Sequence, residues 1–575
     1  AAPRFSKELA VMKKALAYLS FVGFLAAFSF LALPKTEASD TKKAPPAATF
    51  SKDVAPIFYK ACARCHRPGE IAPMSLMSYK ESRPWARSIK EKVVTREMPP
   101  WHADPNHGQF SNDMRLSQKE IDTIAAWVDG GAKEGNPKDL PPAPRYSDDW
   151  ELGKPDMVFS MPEPYTVEAS GPDDYIYFRI PTNFKEDRWV QAVEFKAGNR
   201  KVVHHAVIFV ESPDLMDAAR NMARRRGQGD SANVPSVFEG SGGTIFEKVG
   251  TTRRIKADAQ ILDDGCSAPE RGTPASNTGS EILAVYAPGR NADVWPEGTA
   301  KRIPAGSNII FQMHYSKTTG KAETDLTRAG LYFAKAPVEK MISTRDVQNL
   351  LFKIPAGAEN HEVKACFTFP RDTQLVNYMP HMHVRGKDMK YEIQYPDGRR
   401  ETLINVPRYD FNWQTLYKLK TPLAVPKGSR LIVTAHFDNS ARNRYNPDPT
   451  KDVRFGEPTN YEMVVGFIDY IRDIPKERTV AKLDPKVYDA YVGQYSIAPA
   501  GSFAVVKDGD RLLLEARGQS IQLFPESETT FFLKAVEAQV TFVKDEKGEV
   551  TGLVFETNGQ SIKAKKNPAS PGAGN

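Results

Sequence analysis

The chain has 575 residues, of which 41% are hydrophobic and 26% are charged, and its net charge is +7. That length exceeds what one hydrophobic core can organise and favours roughly three to five domains. Apart from the N-terminus and one short arginine cluster, the basic residues are dispersed, which argues against nucleic acid as a partner.

The N-terminus has the pattern of an export signal. Two lysines precede an apolar run over residues 15–33, and small residues ending at Ala38 follow. This order predicts a signal peptide over residues 1–38, with Met12 as the natural start, and hence a periplasmic or secreted protein. The alternative is an uncleaved membrane anchor, because the run has about the length that spans a bilayer.

A CxxCH motif follows at Cys62, Cys65 and His66. Both thiols can bond to haem vinyl groups, and the adjacent histidine then becomes an axial ligand of the iron. The alternatives are a zinc half-site and a disulfide with a chance histidine. An exported chain favours the haem, because covalent haems are attached outside the cytoplasm.

Helical patterns surround this motif. The stretch Tyr79–Arg96 predicts one helix, and a capping box from Ser117 to Glu120 predicts another that ends at Gly130. With these helices, residues 49–133 resemble a class I cytochrome c. The resemblance implies a small all-α domain that carries one covalently bound haem c.

Such a domain usually supplies a methionine on the far side of the haem. We choose Met98, which lies 32 residues after His66, and keep Met74, Met77 and His102 as alternatives. A methionine–histidine pair raises the reduction potential, which suits electron transfer better than oxygen binding.

After a proline-rich linker over residues 133–149, short apolar or alternating runs are separated by Gly, Pro and Asn turns. This pattern predicts β-sandwiches, and the length fits two, over residues 150–345 and 346–475. The predicted strands are Tyr175–Ile180, Trp189–Phe195, Val202–Val210, Asn308–Tyr315, Ala329–Phe333, Val363–Phe369, Met389–Tyr395, Leu431–Phe437 and Met463–Ile471.

Histidines on these strands are candidate metal ligands. His381 and His383 are one residue apart on an extended segment, so they point to the same face and can chelate one metal. His204 and His205 are adjacent, so both can bind one ion only at a bulge or a strand end. Considered singly, His314 favours a core position, as does the methionine at residue 463.

The order of the motifs changes that interpretation. His-His, then Gln-x-His-Tyr, His-x-His and Glu-Met resembles the copper type II, ascorbate-dependent monooxygenases, which include peptidylglycine alpha-hydroxylating monooxygenase and dopamine beta-monooxygenase. The resemblance covers residues 150–475. It implies two jelly-roll-like domains that face each other across a cleft, with one copper ion on each.

The resemblance also implies the ligand sets. The electron-transfer copper would be held by His204, His205 and His314. The catalytic copper, which meets O2 and substrate, would be held by His381, His383 and Met463. Imidazole suits copper and a thioether favours Cu(I). The implied reaction hydroxylates a C–H bond with O2 and two external electrons, and it yields an alcohol and water.

The chain departs from the animal members of that family, which are rich in disulfides. Here only Cys266 and Cys366 remain in this region, either paired or free and buried. No residue is assigned to grip a peptide carboxylate, so a peptide substrate is not carried over. The polar, arginine-rich segment 218–253 predicts a solvated insertion loop, or a loop that attracts an acidic substrate or redox partner.

The final predicted domain covers residues 480–567. Alternating strands there are separated by hairpin turns such as Asp508-Gly509. The stretch resembles a small β-domain of unknown function found at the C-terminus of many secreted bacterial hydrolases. We expect a structural or binding accessory.

Together these features predict an exported, haem-containing copper monooxygenase. Electrons would pass from a periplasmic donor or ascorbate, through haem c, to the three-histidine copper and then to the catalytic copper. The substrate, a small molecule or peptide, is not specified by the sequence. One alternative is a non-catalytic electron-transfer or copper-binding protein on the same scaffold, and another is a cytochrome fused to a sugar- or peptide-binding sandwich. Membrane contact is expected only if the apolar segment stays uncleaved.

Overall fold

A computed structural model describes most of the chain from residue 48 onward. The described residues are 48–147, 149–214, 216, 246–249, 252–257, 261, 264–266, 281–289, 292–317, 319–476, 478–497, 501–516, 519–534, 538–557 and 560–568. The expected signal peptide and most of segment 218–253 lie outside them. Within the described residues, no helix is long and apolar enough to span a bilayer.

Helices dominate the described chain up to residue 129. Phe50, Phe58 and Trp127 form its aromatic centre, with ring centroids 6.0 to 6.3 Å apart. Among the described residues, the helical segments are a π-helical turn at Phe50–Val54, α-helices at Ala55–Ala61, Tyr79–Ser82, Ala86–Val94 and Gln118–Asp129, and 3-10 turns at Arg83–Trp85, Pro137–Asp139 and Pro485–Ala490.

Two local helix predictions have different outcomes. The capping box is confirmed, because the Ser117 side chain accepts the Glu120 backbone N–H and the Glu120 carboxylate accepts the Ser117 N–H. The single helix predicted over residues 79–96 is wrong in its middle. Pro84 lacks a backbone N–H and lies in the 3-10 turn that separates two α-helices there.

The first sandwich consists of two sheets packed around one core. One sheet has the order β3-β11-β5-β8, and the other begins β1-β13-β4-β10, with β9 paired to β4. Val193 and Ile208 belong to the apolar core between them. The strands of this part of the chain are β1 (Met157–Ser160), β2 (Tyr165–Val167), β3 (Asp174–Pro181), β4 (Arg188–Lys196), β5 (Val203–Glu211), β6 (Phe246–Val249), β7 (Thr252–Ile255), β8 (Glu281–Tyr286), β9 (Ala292–Val294), β10 (Thr299–Ile303), β11 (Asn308–Tyr315), β12 (Glu323–Asp325) and β13 (Arg328–Phe333). Outside the two sheets, β2 pairs with β12 and β6 pairs with β7, and Ile255 of β7 packs in the core of the second sandwich.

The second sandwich has the same two-layer plan. One sheet has the order β14-β23-β17-β20, and the other has the order β16-β21-β18-β19. Tyr391 and Val433 are fully buried in its core. The strands are β14 (Lys340–Gln348), β15 (Lys353–Ile354), β16 (His361–Thr368), β17 (Thr373–His381), β18 (Gly386–Gln394), β19 (Arg400–Val406), β20 (Tyr417–Val425), β21 (Arg430–Phe437), β22 (Val453–Arg454) and β23 (Val465–Asp473).

The two sandwiches share one sheet. Strand β10 of the first pairs in parallel with β14 of the second, through Thr299 opposite Lys340 and Ala300 opposite Met341. The joined sheet runs β1-β13-β4-β10-β14-β23-β17-β20. The boundary expected between residues 345 and 346 therefore falls inside β14, which pairs along its whole length with β23.

Part of the helical region also packs on the second sandwich. Trp101 and Ala103 are buried in that sandwich's core, and Phe110 forms an antiparallel bridge with Leu419. Residues 101–112, expected within the haem domain, therefore connect that domain to β20.

The C-terminal residues form a closed barrel with its own core. Asp508 and Gly509 lie at the hairpin between its second and third strands, as predicted. Its strands are β24 (Gly493–Ile497), β25 (Gly501–Asp508), β26 (Arg511–Ala516), β27 (Gln519–Pro525), β28 (Thr530–Leu533), β29 (Ala538–Lys544), β30 (Val550–Thr557) and β31 (Gln560–Lys566).

Candidate metal centre

Strand register brings His205 and His314 together. The two residues are directly opposite each other in the antiparallel pair of β5 and β11. The register then shifts, because Tyr315 pairs with Val203 and leaves His204 as the extra residue of a β-bulge. The bulge is the exception that allows adjacent side chains to approach one point.

The three imidazoles converge through the same kind of atom. The Nδ1 of His205 lies 3.2 Å from the Nδ1 of His204 and 3.2 Å from the Nδ1 of His314. Burial lowers the pKa of His204 to about 4 and lowers the pKa values of the other two well below 6.5. The rings are therefore neutral at neutral pH and offer lone pairs, and a metal about 2.0–2.1 Å from each nitrogen fits this spacing.

The far side of the His314 ring is also held. Its Nε2 lies 2.9 Å from Oδ2 of Asp173, and Tyr175 stacks on the ring at 4.1 Å between centroids. The hydroxyl of Thr459, from the second sandwich, donates to the same Asp173 oxygen at 3.1 Å. A carboxylate on the outer nitrogen of a histidine fixes its tautomer and leaves Nδ1 to bind a metal.

His381 and His383 use the opposite nitrogen. The Nδ1 of His381 lies 2.8 Å from Oε1 of Gln414, and the Nδ1 of His383 lies 3.1 Å from the Tyr461 carbonyl oxygen. Because these oxygens only accept, each Nδ1 carries the proton and each Nε2 keeps its lone pair. Burial lowers the pKa of His381 to about 4 and that of His383 well below 6.5. Both rings are therefore neutral ligands.

Met463 is close to this pair along the neighbouring strand. His381 is opposite Val465 at the end of the paired register of β17 and β23, and Met463 lies two residues before Val465. The Met463 side chain is half-buried against the core of the second sandwich. Oε2 of Glu462, a fully buried residue, accepts the backbone N–H groups of His383 at 2.9 Å and Met463 at 3.3 Å.

The two histidine groups adjoin each other. The ring centroids of His205 and His381 are 6.0 Å apart. Phe411 stacks on His204 at 4.5 Å and lies 5.8 Å from the His383 ring. The resemblance implies a cleft between the groups, whereas the structure has these rings as near neighbours.

The CxxCH motif follows the helix Ala55–Ala61. Both cysteines are free thiols, and burial raises the pKa of Cys62 to about 12 and that of Cys65 above its usual value. The Nδ1 of His66 lies 3.2 Å from the Met74 carbonyl oxygen. Because this carbonyl accepts a hydrogen bond from Nδ1–H, the proton stays on Nδ1 and the His66 Nε2 keeps the lone pair that an axial haem ligand needs.

A cavity of about 740 Å³ is lined by Met98, the predicted second axial ligand, and by His102, one of the alternatives. Its lining also includes Lys60, Leu116, Ile121 and Pro407. The residues of the CxxCH motif are not among its lining. Met74 and Met77 lie instead on the loop after His66, where their carbonyl groups accept hydrogen bonds from the His66 and Tyr59 side chains.

The sequence left open whether the two cysteines outside the CxxCH motif are paired or free. Cys266 and Cys366 form a disulfide, with Cys366 on β16. Several residues that contact the histidines were not predicted as site residues from the sequence, because each lies on a distant loop without a local motif. They are Asp173, Phe411, Gln414 and Thr459.

Fold and site together define a β-rich protein with a buried centre of neutral imidazoles, a donor set that suits copper. The family model for the C-terminal domain of copper type II ascorbate-dependent monooxygenases matches residues 352–492. This segment contains His381, His383 and Met463, and the match supports a copper-dependent oxidoreductase. A second family model, a domain of unknown function (DUF3471), matches residues 477–566 and coincides with the C-terminal barrel.

Other similarities are partial. Penicillin-binding protein 4* of Bacillus subtilis (strain 168) is 34% identical over 83 residues, which are 14% of this chain and 18% of that protein. The chain therefore spans less than a fifth of that relative's length. Among solved structures, PNGF-II in its C2 crystal form is 9% identical over 57% of this chain and 66% of its own, with a TM-score of 0.23. The major capsid protein P2 from bacteriophage PM2 is 6% identical over 56% of this chain and 99% of the capsid protein, with a TM-score of 0.21. At these TM-scores neither structure bears on the fold or activity.

Proposed function

We propose that this protein is an exported copper monooxygenase that hydroxylates a C–H bond of an organic substrate with O2. One observation carries the proposal. Two groups of buried neutral imidazoles, one presenting Nδ1 atoms and the other Nε2 atoms, adjoin each other through His205 and His381. The disulfide between Cys266 and Cys366 agrees with export, since disulfides persist in oxidising compartments.

The proposed ligands are His204, His205 and His314 for one copper, and His381, His383 and Met463 for the other. Bound copper would supply electron storage at the first site and O2 activation at the second, where a thioether favours Cu(I). The chain's own contribution is orientation. Asp173 holds the outer nitrogen of His314, while Gln414 and the Tyr461 carbonyl keep the protons on Nδ1 of the other pair.

The second part of the proposal assigns a covalent haem c to Cys62, Cys65 and His66. Met98 is the proposed second axial ligand. The half-buried CxxCH segment and the hydrogen bond that frees Nε2 of His66 support this assignment. A tethered one-electron carrier would deliver electrons from a periplasmic donor, or from ascorbate, to the three-histidine copper.

The first test combines metal analysis with oxygen uptake. Purified full-length protein should contain two copper ions and one haem and should consume O2 when reductant and substrate candidates are supplied. Met463→Ile should abolish this uptake while copper remains at the three-histidine site. Met389→Ile, a change in the buried core of the same sandwich, is the matched control and should retain uptake.

A different result would favour the alternative function. If the protein binds both copper ions but shows no reductant-dependent O2 uptake, the scaffold would fit a non-catalytic electron-transfer protein. If uptake is present and Met463→Ile leaves it unchanged, residue 463 has no part in oxygen chemistry and the proposed catalytic site is wrong. Replacing Cys62 and Cys65 with Ala tests the haem separately, since turnover that is unchanged with both a protein donor and ascorbate would remove haem from the pathway.

A further inference from the structure

One loop of the second sandwich connects the regions that carry the proposed cofactors. Residues 407–416, here called the bridging loop, join β19 to β20. At its start, Pro407 and Arg408 line the 740 Å³ cavity that also contains Met98. Near its end, Gln414 accepts the hydrogen bond from Nδ1 of His381.

The middle of the bridging loop is fixed to both histidine groups. The Tyr409 hydroxyl accepts the backbone N–H of Met382 at 3.0 Å and donates to the Met382 carbonyl at 2.7 Å. Met382 lies between His381 and His383, the two histidines of the second group. Phe411 stacks on His204 with an interplanar angle of 23° and lies 6.5 Å from His314.

Trp413 extends the loop towards the CxxCH motif. The Cζ3 atom of its ring lies 3.7 Å from the position that a Cβ would take on Gly289, and Sγ of Cys65 lies 3.9 Å from the same position. The two side chains therefore flank one glycine. Because glycine has no side chain, no Gly289 atom occupies the Cβ position that Trp413 and Cys65 both face. The φ of Gly289 is +81°, a conformation that disfavours any residue with a side chain.

We propose that the bridging loop is the electron path between haem and copper, with Trp413 and Phe411 as its aromatic steps. The proposal rests on the proposed function above. In each transfer, ferrous haem loses one electron to become ferric, and Cu(II) at the three-histidine site gains it to become Cu(I). No proton moves and no covalent bond changes. An external one-electron reductant restores the ferrous haem.

The physical reason is distance. Electron tunnelling slows exponentially with separation, and packed side chains transmit it better than gaps. Trp413 and the Cys65 sulfur, which would be bonded to the haem, are separated by the position of the missing Gly289 side chain, and each lies within 4 Å of it. Phe411, two residues before Trp413 on the same loop, is in ring contact with His204. A competing route for the electron would pass through the first sandwich. There Glu70, four residues after His66, forms an ion pair at 2.9 Å with Arg200, which lies just before β5 and its histidines.

The test measures electron transfer directly in full-length protein loaded with haem and copper. Oxidised protein is reduced anaerobically by one photochemically generated electron, and the haem absorbance and the Cu(II) paramagnetic resonance signal are followed. In the wild type, haem should be reduced first and reoxidised as the Cu(II) signal falls. Trp413→Leu should slow this reoxidation by roughly tenfold or more.

Three further variants sharpen the result. Trp413→Phe keeps an aromatic ring and should restore much of the rate, and Phe411→Leu should slow it as Trp413→Leu does. Trp85→Leu removes a 44% exposed tryptophan from the helical region and should leave the rate unchanged. Haem and copper contents equal to those of the wild type show that each variant has folded.

Two outcomes would overturn the inference, and they are distinguishable. If the wild type transfers electrons but Trp413→Leu and Phe411→Leu do so at the same rate, the bridging loop is not the path and the proposed function stands. If the wild type never reoxidises its haem at the expense of Cu(II), both the path and the haem-to-copper part of the proposed function are wrong.

Discussion

The Nε2 atom of His314 lies 2.9 Å from a carboxylate oxygen of Asp173. This contact orients a proposed metal ligand from its outer side, and loss of such a partner commonly weakens metal binding by about 10- to 100-fold. We therefore expect Asp173→Asn to lower copper affinity at the three-histidine site by roughly that factor, measured by competition with a chelator. Asp174→Asn is the matched control, because the neighbouring Asp174 pairs with Lys317 instead. Equal weakening in both variants would contradict this role.

The two copper sites should be separable by mutation. His314→Ala removes a ligand of the first group and should reduce bound copper from two equivalents to one, while the copper at His381 and His383 is retained. His436→Ala is the control, because the His436 ring contacts Asp388 and Glu362, at 2.7 and 3.5 Å, and none of the proposed copper ligands. Copper would be measured by elemental analysis after dialysis. Loss of both equivalents in His314→Ala would mean that the groups form a single interdependent site.

Glu462 should position the second group. Its carboxylate accepts hydrogen bonds from the backbone N–H groups of His383 at 2.9 Å, Arg385 at 2.7 Å and Met463 at 3.3 Å. A buried donor left without a partner costs about 1–3 kcal/mol, so Glu462→Ala should lower the unfolding midpoint and release the second copper first. Glu401→Gln alters an exposed carboxylate of the same sandwich and should do neither. Retention of both copper ions by Glu462→Ala would argue against the positioning role.

The buried histidines should make the metal-free protein acid-sensitive. Burial lowers the pKa values of His205, His314 and His383 well below 6.5 and those of His204 and His381 to about 4. Below about pH 6.5 the unfolded chain takes up protons that the folded chain does not, so the free energy of unfolding falls as pH falls. Each unit by which a pKa is lowered corresponds to about 1.4 kcal/mol.

A variant isolates this effect from groups that act in the other direction. Burial raises the pKa of Glu462 to about 7, so that carboxyl favours folding at low pH. The contribution of Glu462 to the free energy of unfolding is common to the metal-free wild type and the metal-free His205→Asn variant. It therefore cancels when the two proteins are compared at each pH. The wild type should lose more stability than the variant between about pH 7 and about pH 5, measured by denaturant unfolding at each pH. Parallel losses in the two proteins would contradict the prediction.

Local patterns predicted some of this structure well. The capping box at Ser117 and the bulge required by His204 and His205 both depend on residues close in sequence, and both are present. The single helix predicted over residues 79–96 did not take account of Pro84, which lies in the 3-10 turn between the two α-helices.

Distant contacts could not be predicted in this way. Gln414 reaches His381 across 33 positions, and Thr459 reaches Asp173 across 286. No periodicity or motif encodes such pairs, because the folded sheets determine them. The adjacency of the two histidine groups has the same origin, since it follows from how the two sandwiches are joined at β10 and β14.

That joined sheet limits how the molecule can be divided. The matched family segment begins at residue 352, after the last residue of β14, Gln348. A fragment cut at that boundary would remove the neighbour of β23 and leave its N–H and C=O groups unpaired along one side. Such bare strand edges recruit other chains. Recombinant pieces of the second sandwich should therefore start before Lys340 if they are to stay monomeric, a requirement that domain boundaries drawn from sequence families would miss.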